Sequence, residues 1–263
     1  RCKDKERNVY LLFKEFSMAN FSKWLGAGLG WTFAGPIGGI LGFVLGSFVD
    51  EFSATELKDF QKDIYSGSKT QSGDFEISLL VLAAVVIKAD GQVNKTELDF
   101  VRSSFRSMYG EERSNRAFRL FKGFMANKHI STRQVCLQIN QHMNHPARLQ
   151  LLHFLFGVAK SDGVVSEKEL HKIATIAGNL NINIRDFNSI KAMFYNDVDS
   201  SYKILEIEKS ASDSEVKAAY RKIVKKYHPD KLRGIGEEHI KGAEDKFRQV
   251  QRAYEHIQKE RGL

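Results

Sequence analysis

The chain has 263 residues, a formal net charge of +8, 42% hydrophobic residues and 3 prolines. This length is sufficient for two domains, and the scarcity of proline with long 3.6-residue periodicities favours an all-α fold class. The two cysteines, Cys2 and Cys136, exclude a disulfide framework and show no spacing typical of a metal site.

The first predicted element is a glycine-rich apolar segment at residues 21–50. Its uncharged part, residues 25–49, is long enough to cross a hydrocarbon core as one helix. Gly38, Gly42 and Gly46 recur every four residues, a spacing that lets two helices approach closely in lipid. In water, each glycine would cost a helix about 1 kcal/mol relative to alanine. We therefore predict a membrane anchor whose glycines form a self-association surface, permitting a homodimer.

The form and orientation of this anchor stay open. A single span, a re-entrant hairpin turning near Gly35-Pro36, and a buried hairpin in a soluble protein all fit the apolar run. A lysine before it and acidic residues after it would place the larger C-terminal part outside by the positive-inside rule. Residues 1–20 form an N-terminal extension with no assigned role, in which we expect Met18 to be the natural start. Residues 51–73 are predicted to be a polar linker.

Residues 74–196 predict a second, helical domain. Seven helices are expected near 75–89, 95–108, 111–127, 131–143, 146–160, 167–180 and 184–195. The first is almost wholly apolar, which is typical of a central core helix.

Two stretches of this domain echo each other, KADGQVNKTEL from Lys88 and KSDGVVSEKEL from Lys160. Each closes one helix with Asp-Gly and begins the next with a polar residue followed three positions later by glutamate, which is the spacing of a capping box. The glycines supply a left-handed turn, and the valines that follow are expected to enter the core. The residues concerned are Gly91, Val93, Asn94 and Glu97 in the first stretch and Gly163, Val165, Ser166 and Glu169 in the second.

The same stretches permit a divalent-metal site with Asp90, Glu97, Asp162 and Glu169 as oxygen ligands. Their spacing does not match the twelve-residue EF-hand loop, and capping already uses both glutamates. We therefore favour capping and predict no metal and no other cofactor. The repeats resemble the TerB-like helical domain of the tellurite-resistance type, over about residues 74–196, and this likeness says little about chemistry.

A cationic group in the same domain is opposed within its span by Glu111 and Glu112; it comprises Arg102, Arg106, Arg113, Arg116, Arg119, Lys122, Lys128 and Arg133. Beside a membrane anchor, such a surface suits anionic lipid headgroups. Nucleic acid is the alternative, but the phenylalanines nearby fall at helical spacing and are expected in the core rather than as base-stacking platforms. We predict membrane lipid as a partner and no nucleic acid.

The last stretch, residues 200–263, holds two helical patterns around the tripeptide His228-Pro229-Asp230, which we call the HPD loop. Ser212 and Glu215 have capping-box spacing at the start of the first pattern. Pro229 removes a backbone donor and pushes the preceding residue out of helical conformation, so the first helix must end there. The sequence therefore predicts an antiparallel helical hairpin with an exposed polar loop.

Four blocks around this loop resemble the J-domain of DnaJ-type co-chaperones: Tyr202-Lys203-Ile204-Leu205-Glu206-Ile207, Ala219-Tyr220-Arg221-Lys222, His228-Pro229-Asp230-Lys231, and Phe247 with Ala253-Tyr254-Glu255. The resemblance implies binding to a DnaK-type heat-shock chaperone and stimulation of its ATP hydrolysis. It implies that the partner contacts His228, Pro229 and Asp230. A cationic face on the preceding helix is suited to an acidic partner surface; it comprises Lys217, Arg221, Lys222, Lys225 and Lys226.

The order of anchor, TerB-like domain and J-domain over residues 21–260 resembles the membrane-anchored DnaJ-like co-chaperones. The resemblance implies a co-chaperone at the bacterial inner membrane that recruits its chaperone there. We expect both domains in the cytoplasm, because that is where an ATP-bound chaperone lies. The alternative is a metal- or stress-response envelope protein in which the TerB-like domain is the active part. No nucleophile–base pair, phosphate loop or cofactor motif occurs in the sequence, so no enzymatic activity is expected.

Overall fold

A computed structural model describes residues 71–126, 130–195, 199–228, 230 and 240–263. The chain divides into two compact units, residues 1–70 and 71–263, so everything described belongs to the second. The described ranges contain helices and turns without any strand, which confirms the all-α prediction. The glycines of the predicted anchor, Lys128 and Pro229 lie outside the described residues.

Ten helices lie within the described ranges, and we number them in chain order. They are α1 (Gln71–Ile87), α2 (Lys95–Tyr109), α3 (Glu111–Ala126), α4 (Thr132–His142), α5 (His145–Lys160), α6 (Glu167–Asn179), α7 (Ile184–Ala192), α8 (Ser200–Ile204), α9 (Asp213–Tyr227) and α10 (Ile240–Arg261). We call α1–α7 the bundle and α8–α10 the hairpin. The seven predicted bundle helices are all present, with ends displaced by about one turn or less, as is usual for helix boundaries. Helix α1 begins earlier than expected, inside the predicted linker.

Helix α1 is the centre of the bundle, as its sequence predicts. Every side chain from Phe75 to Ile87 is buried, and the helix packs against α3 and α5 most closely. Burying one large apolar side chain contributes about 1.5–3 kcal/mol, so burial of this helix contributes strongly to the bundle's stability. Its one carboxylate in this range, Glu76, accepts hydrogen bonds from the Arg113 guanidinium of α3, the shortest at 2.8 Å.

The two echoing stretches form the predicted caps. Asn94 and Ser166 each close a complete capping box with the glutamate three residues later, and Gly91 and Gly163 adopt φ of +85° and +100°. The expectation for Val93 is wrong, because its side chain is 53% exposed. Each loop is pinned at the surface by its aspartate: Asp90 Oδ1, for example, accepts from the Gln92 amide at 2.8 Å.

The hairpin forms as predicted, with one additional short helix, α8. Ser212 and Glu215 make the expected capping box at the start of α9. The rings of Tyr220 and Tyr254 stack at 4.1 Å between α9 and α10. Helix α9 ends at Tyr227, and His228 has an extended backbone (φ −60°, ψ 132°), as a residue before proline requires.

The hairpin packs on the bundle mainly through two pairs of helices, α8 on α7 and α10 on α5. At the first contact, the buried Ser189 hydroxyl donates a hydrogen bond to the Ile204 carbonyl at 2.7 Å. At the second, the side chain of Lys246 is buried against α5. The bundle therefore fixes where the end of α9, and with it the HPD loop, is held.

Candidate functional site

The described side chains of the HPD loop are exposed but locally ordered by hydrogen bonding. The side chains of His228 and Asp230 are 49% and 60% exposed. The Asp230 amide donates to His228 Nδ1 at 3.2 Å, and the imidazole meets the Phe247 ring of α10 edge to face at 6.3 Å. Because Nδ1 accepts a hydrogen bond here, the neutral ring carries its proton on Nε2. That proton is available to a partner.

The cationic face of α9 is exposed at four of its five predicted positions, Lys217, Arg221, Lys222 and Lys225. The fifth, Lys226, does not belong to that exposed face. Its ammonium contacts the carboxylates of Asp186 in α7 and Glu206 after α8, which leaves its side chain 21% exposed. The sequence places Lys226 in a row with Lys222, but Lys222 is exposed whereas Lys226 meets carboxylates of α7 and of the segment after α8.

A shallow depression of about 550 Å³ joins the loop to this face. Its lining combines the apolar surfaces of Tyr220 and Val224 with the cations of Arg221 and Lys225, and it ends at the HPD loop; the full lining is Tyr220, Arg221, Val224, Lys225, His228 and Asp230. Such a surface can bind an acidic protein segment by charge and by apolar contact.

The predicted metal-ligand candidates are brought together only in part. Asn94 Nδ2 donates to Asp162 Oδ2 at 3.0 Å, which joins the two echoing loops. Glu97 and Glu169 also meet and share a hydrogen bond, and burial together with that bond raises the pKa of Glu97 to about 8. The carboxylates still accept from their own helix caps, the Asn94 and Ser166 amides. One shared proton therefore lets two buried capping glutamates lie side by side.

No group of three or more histidine, cysteine, aspartate or glutamate side chains suited to a metal ion occurs in the part of the chain that the structure describes. Asp90 does not join the two glutamates in any hydrogen bond shown, and its carboxylate accepts from the Gln92 amide of its own loop.

A buried polar cluster beside the HPD loop was not anticipated from the sequence. Asp186, 1% exposed, accepts from the Asn183 side chain at 3.0 Å and lies 2.6 Å from His145 Nε2. Burial alone would raise the pKa of Asp186, but the hydrogen bonds from His145 and Lys226 outweigh it and lower the pKa to about 2. The one signal in the sequence was the Asn183-x-x-Asp186 spacing of a helix start, which reveals the cap but not its partner in α9.

Three family descriptions match consecutive parts of the chain. "Co-chaperone DjlA transmembrane domain" matches residues 18–70, "Tellurite resistance protein TerB" residues 76–192, and "DnaJ domain" residues 200–261. The described ranges begin after the first of these, and within them no helix has the length and apolar character to span a membrane.

Curated relatives match over the same extent. The chain is 29% identical to the co-chaperone protein DjlA of Coxiella burnetii, over 92% of this chain and 98% of the relative. It is 27% identical to the DjlA of Legionella pneumophila, over 92% and 96%. A shorter match, 56% identical over 54 residues, is to the chaperone protein DnaJ of Mesomycoplasma hyopneumoniae, over 20% of this chain and 15% of the relative. No solved structure matches.

These matches agree with the geometry of the hairpin and do not favour the alternative of a metal- or stress-response protein with an accessory J-domain. His228 and Asp230 lie exposed at the end of a cationic helix face, and the alignment with the Coxiella burnetii relative covers 92% of this chain. Together, the three matched domains and the DjlA relatives support a DjlA-type, membrane-associated J-domain co-chaperone.

Proposed function

We propose that this chain stimulates ATP hydrolysis by its DnaK-type partner through the HPD loop, and that it does so at the inner membrane with bundle and hairpin in the cytoplasm. The single observation that carries the proposal is the outward orientation of His228, Asp230 and the α9 cations while the hairpin is packed on the bundle. The same surface needs no rearrangement to meet a partner.

In this proposal the chain performs no bond chemistry itself. Catalysis of hydrolysis belongs to the chaperone, and a bound partner accelerates it only by interacting more strongly with the reactive state than with the resting state. The His228 Nε2 proton and the Asp230 carboxylate supply one donor and one acceptor for that interaction. The cations of α9 speed the encounter with an acidic surface, an effect that salt reduces.

The test is single-turnover ATP hydrolysis by DnaK with the full chain in lipid nanodiscs, comparing wild type with His228→Gln. We expect the variant to lose stimulation while its thermal unfolding midpoint stays the same. The matched control is His256→Gln, which changes another exposed histidine on α10. Full stimulation by His228→Gln would refute the proposal.

A cationic patch on α2 and α3 supports an additional contact with anionic lipid. Arg102, Arg119 and Lys122 are exposed around a depression of about 530 Å³. Three other cations of the predicted group are paired with carboxylates: Arg106 with Glu111, Arg113 with Glu76 and Arg116 with Glu112. The lipid-facing surface that we propose is therefore smaller than the sequence suggests.

The lipid contact can be tested with a fluorophore at Asn115, which lines this patch. The measurement is quenching of that fluorophore by headgroup-brominated lipid. We expect stronger quenching in phosphatidylglycerol than in phosphatidylcholine nanodiscs, and loss of the difference in Arg119→Glu/Lys122→Glu. Equal quenching in both lipids would remove anionic lipid from the proposed partners.

The anchor's self-association and the orientation remain proposals that rest on the sequence. Replacing Gly38, Gly42 and Gly46 with leucine should reduce crosslinked dimers in membranes, because bulk blocks close helix approach. A cysteine at the exposed Ala174 of α6 should resist a membrane-impermeant thiol reagent in intact spheroplasts and react after lysis. Labelling before lysis would contradict the proposed orientation and indicate the opposite one.

A further inference from the structure

Two lysines of the hairpin face the bundle rather than solvent. Lys226, in the last turn of α9, contacts Asp186 of α7. Lys246 of α10 is 2% exposed and donates to Gln150 Oε1 of α5 at 3.1 Å. We call these four residues the seam. Apolar side chains alone would suffice to hold the hairpin on the bundle, whereas hydrogen bonds to charged groups also fix its orientation.

The bundle's half of the seam is itself held rigidly. The Asp186 amide donates to Asn183 Oδ1 at 2.9 Å, and the Asn183 side chain donates to Asp186 Oδ2 at 3.0 Å. His145 contacts the same carboxylate oxygen at 2.6 Å. Since Asp186 is only 1% exposed, its carboxylate is held in one orientation toward Lys226.

The hairpin's half of the seam lies next to the HPD loop. Lys226 is two residues before His228, and between them the buried Tyr227 ring lies 4.6 Å from the Lys246 ammonium. The cations Arg221 and Lys225 of the same helix are exposed. The seam therefore holds the last turn of α9 against the bundle and leaves the partner-binding side chains exposed.

We propose that Asp186 and Gln150 are positioning residues of the co-chaperone reaction, which hold the HPD loop outward in one orientation by gripping Lys226 and Lys246. This inference rests on the proposed function. Without the seam, fewer contacts hold the hairpin on the bundle, so the hairpin adopts a wider range of orientations and part of its population no longer directs His228 and Asp230 outward. The apparent affinity for the chaperone then falls by the fraction of chains in the competent orientation. Maximal stimulation, set by the HPD contacts, is unchanged.

The experiment measures orientation and function on the same full chain in nanodiscs. Spin labels at the exposed positions Ala174→Cys and Lys259→Cys, in a chain without Cys2 and Cys136, report the distance between bundle and hairpin. For Asp186→Asn we expect a broader distance distribution. The half-effect concentration, at which this chain gives half of its maximal stimulation of DnaK, should rise about twofold to fivefold. That rise corresponds to a competent fraction of about one half to one fifth. The maximal rate should be unchanged. Asp99→Asn, an exposed carboxylate of α2, is the control and should change neither.

Two further variants separate positioning from damage to α7. Gln150→Ala removes the Lys246 contact far from the Asn183 cap, and we expect the same changes to a smaller extent. Gln150→Glu gives Lys246 a carboxylate partner, and in the Asp186→Asn chain it should narrow the distance distribution and restore the half-effect concentration.

Unchanged distances in both Asp186→Asn and Gln150→Ala would overturn the seam as a restraint. Broadened distances with an equal or lower half-effect concentration would overturn the positioning role. Failure of the proposed function is recognised separately, because it shows as full stimulation by His228→Gln, whereas the distance measurements do not depend on DnaK.

Discussion

The two sides of helix α9 carry lysines with opposite roles. On the outward side, Lys217 and Lys225 are exposed, and Lys225 lines the depression that ends at the HPD loop. On the inward side, Lys226 is held between Asp186 and Glu206, and Lys246 of the neighbouring α10 also faces the bundle, where it donates to Gln150. Lys225 and Lys226 are the same residue type at adjacent positions, so the surface that each one faces decides its role. The outward side should govern activity and the inward side stability and orientation.

The largest expected effect concerns the apolar part of the inward side. Ile223 is fully buried between the hairpin helices, and Ile223→Ala should lower the free energy of unfolding by about 2–5 kcal/mol, because it removes buried methyl groups and leaves a cavity. Denaturant unfolding measures this. The control is Val93→Ala, whose side chain is 53% exposed and whose change should stay within about 0.5 kcal/mol. Equal effects at the two positions would contradict the assigned packing.

The next largest expected effect is the pH dependence of folding stability that the buried Lys246 causes. Burial, with help from the nearby charge of Lys226, lowers the pKa of Lys246 from 10.5 to about 7. The folded state therefore disfavours the charged form, a cost that is full below about pH 7 and disappears as the pH rises toward 10.5. Lys246→Met should be more stable than wild type at pH 7, and the difference should shrink by up to about 1.4 kcal/mol per pH unit above it.

Comparing the variant with wild type at each pH isolates Lys246 from Glu97. The raised pKa of Glu97 has the opposite sign in a neighbouring window: its contribution to stability is lost as the pH rises from 4.5 to about 8. A stability difference between Lys246→Met and wild type that stays constant from pH 7 to 9.5 would show that Lys246 keeps an ordinary pKa.

A smaller effect in free energy is expected from the outward side. Arg221→Glu/Lys225→Glu should raise the half-effect concentration for DnaK stimulation severalfold at low salt and less at moderate salt, because long-range attraction is screened. The unfolding free energy should stay within about 0.5 kcal/mol, since both side chains are exposed. Lys168→Glu/Lys259→Glu carries the same charge change on exposed positions of α6 and α10. If the control variant raised the half-effect concentration as much as the test variant, the effect would be one of net charge only.

What the sequence predicts well in this chain is local. The capping boxes at Asn94, Ser166 and Ser212 are encoded within four consecutive residues each, and all three are present. The apolar run of α1 predicts its central position for the same reason, because no other element is needed to read it.

What the sequence could not reveal depends on distant partners. Lys226 meets an aspartate 40 positions away, and Lys246 meets a glutamine 96 positions away. In α10 the helical spacing places Lys246 on one stripe with the buried Val250 and Ile257, which indicates its burial but not its partner.

The most direct test of the division between the two sides of α9 uses Asp230→Asn, at the loop where the outward side ends. The side chain is 60% exposed, and the change keeps its size while removing its charge. DnaK single-turnover hydrolysis and thermal unfolding should be measured on one preparation of the full chain in nanodiscs. We expect stimulation to be lost with the unfolding midpoint and the bundle–hairpin distance unchanged. Retained stimulation, or a loss that occurs only together with unfolding, would contradict the account.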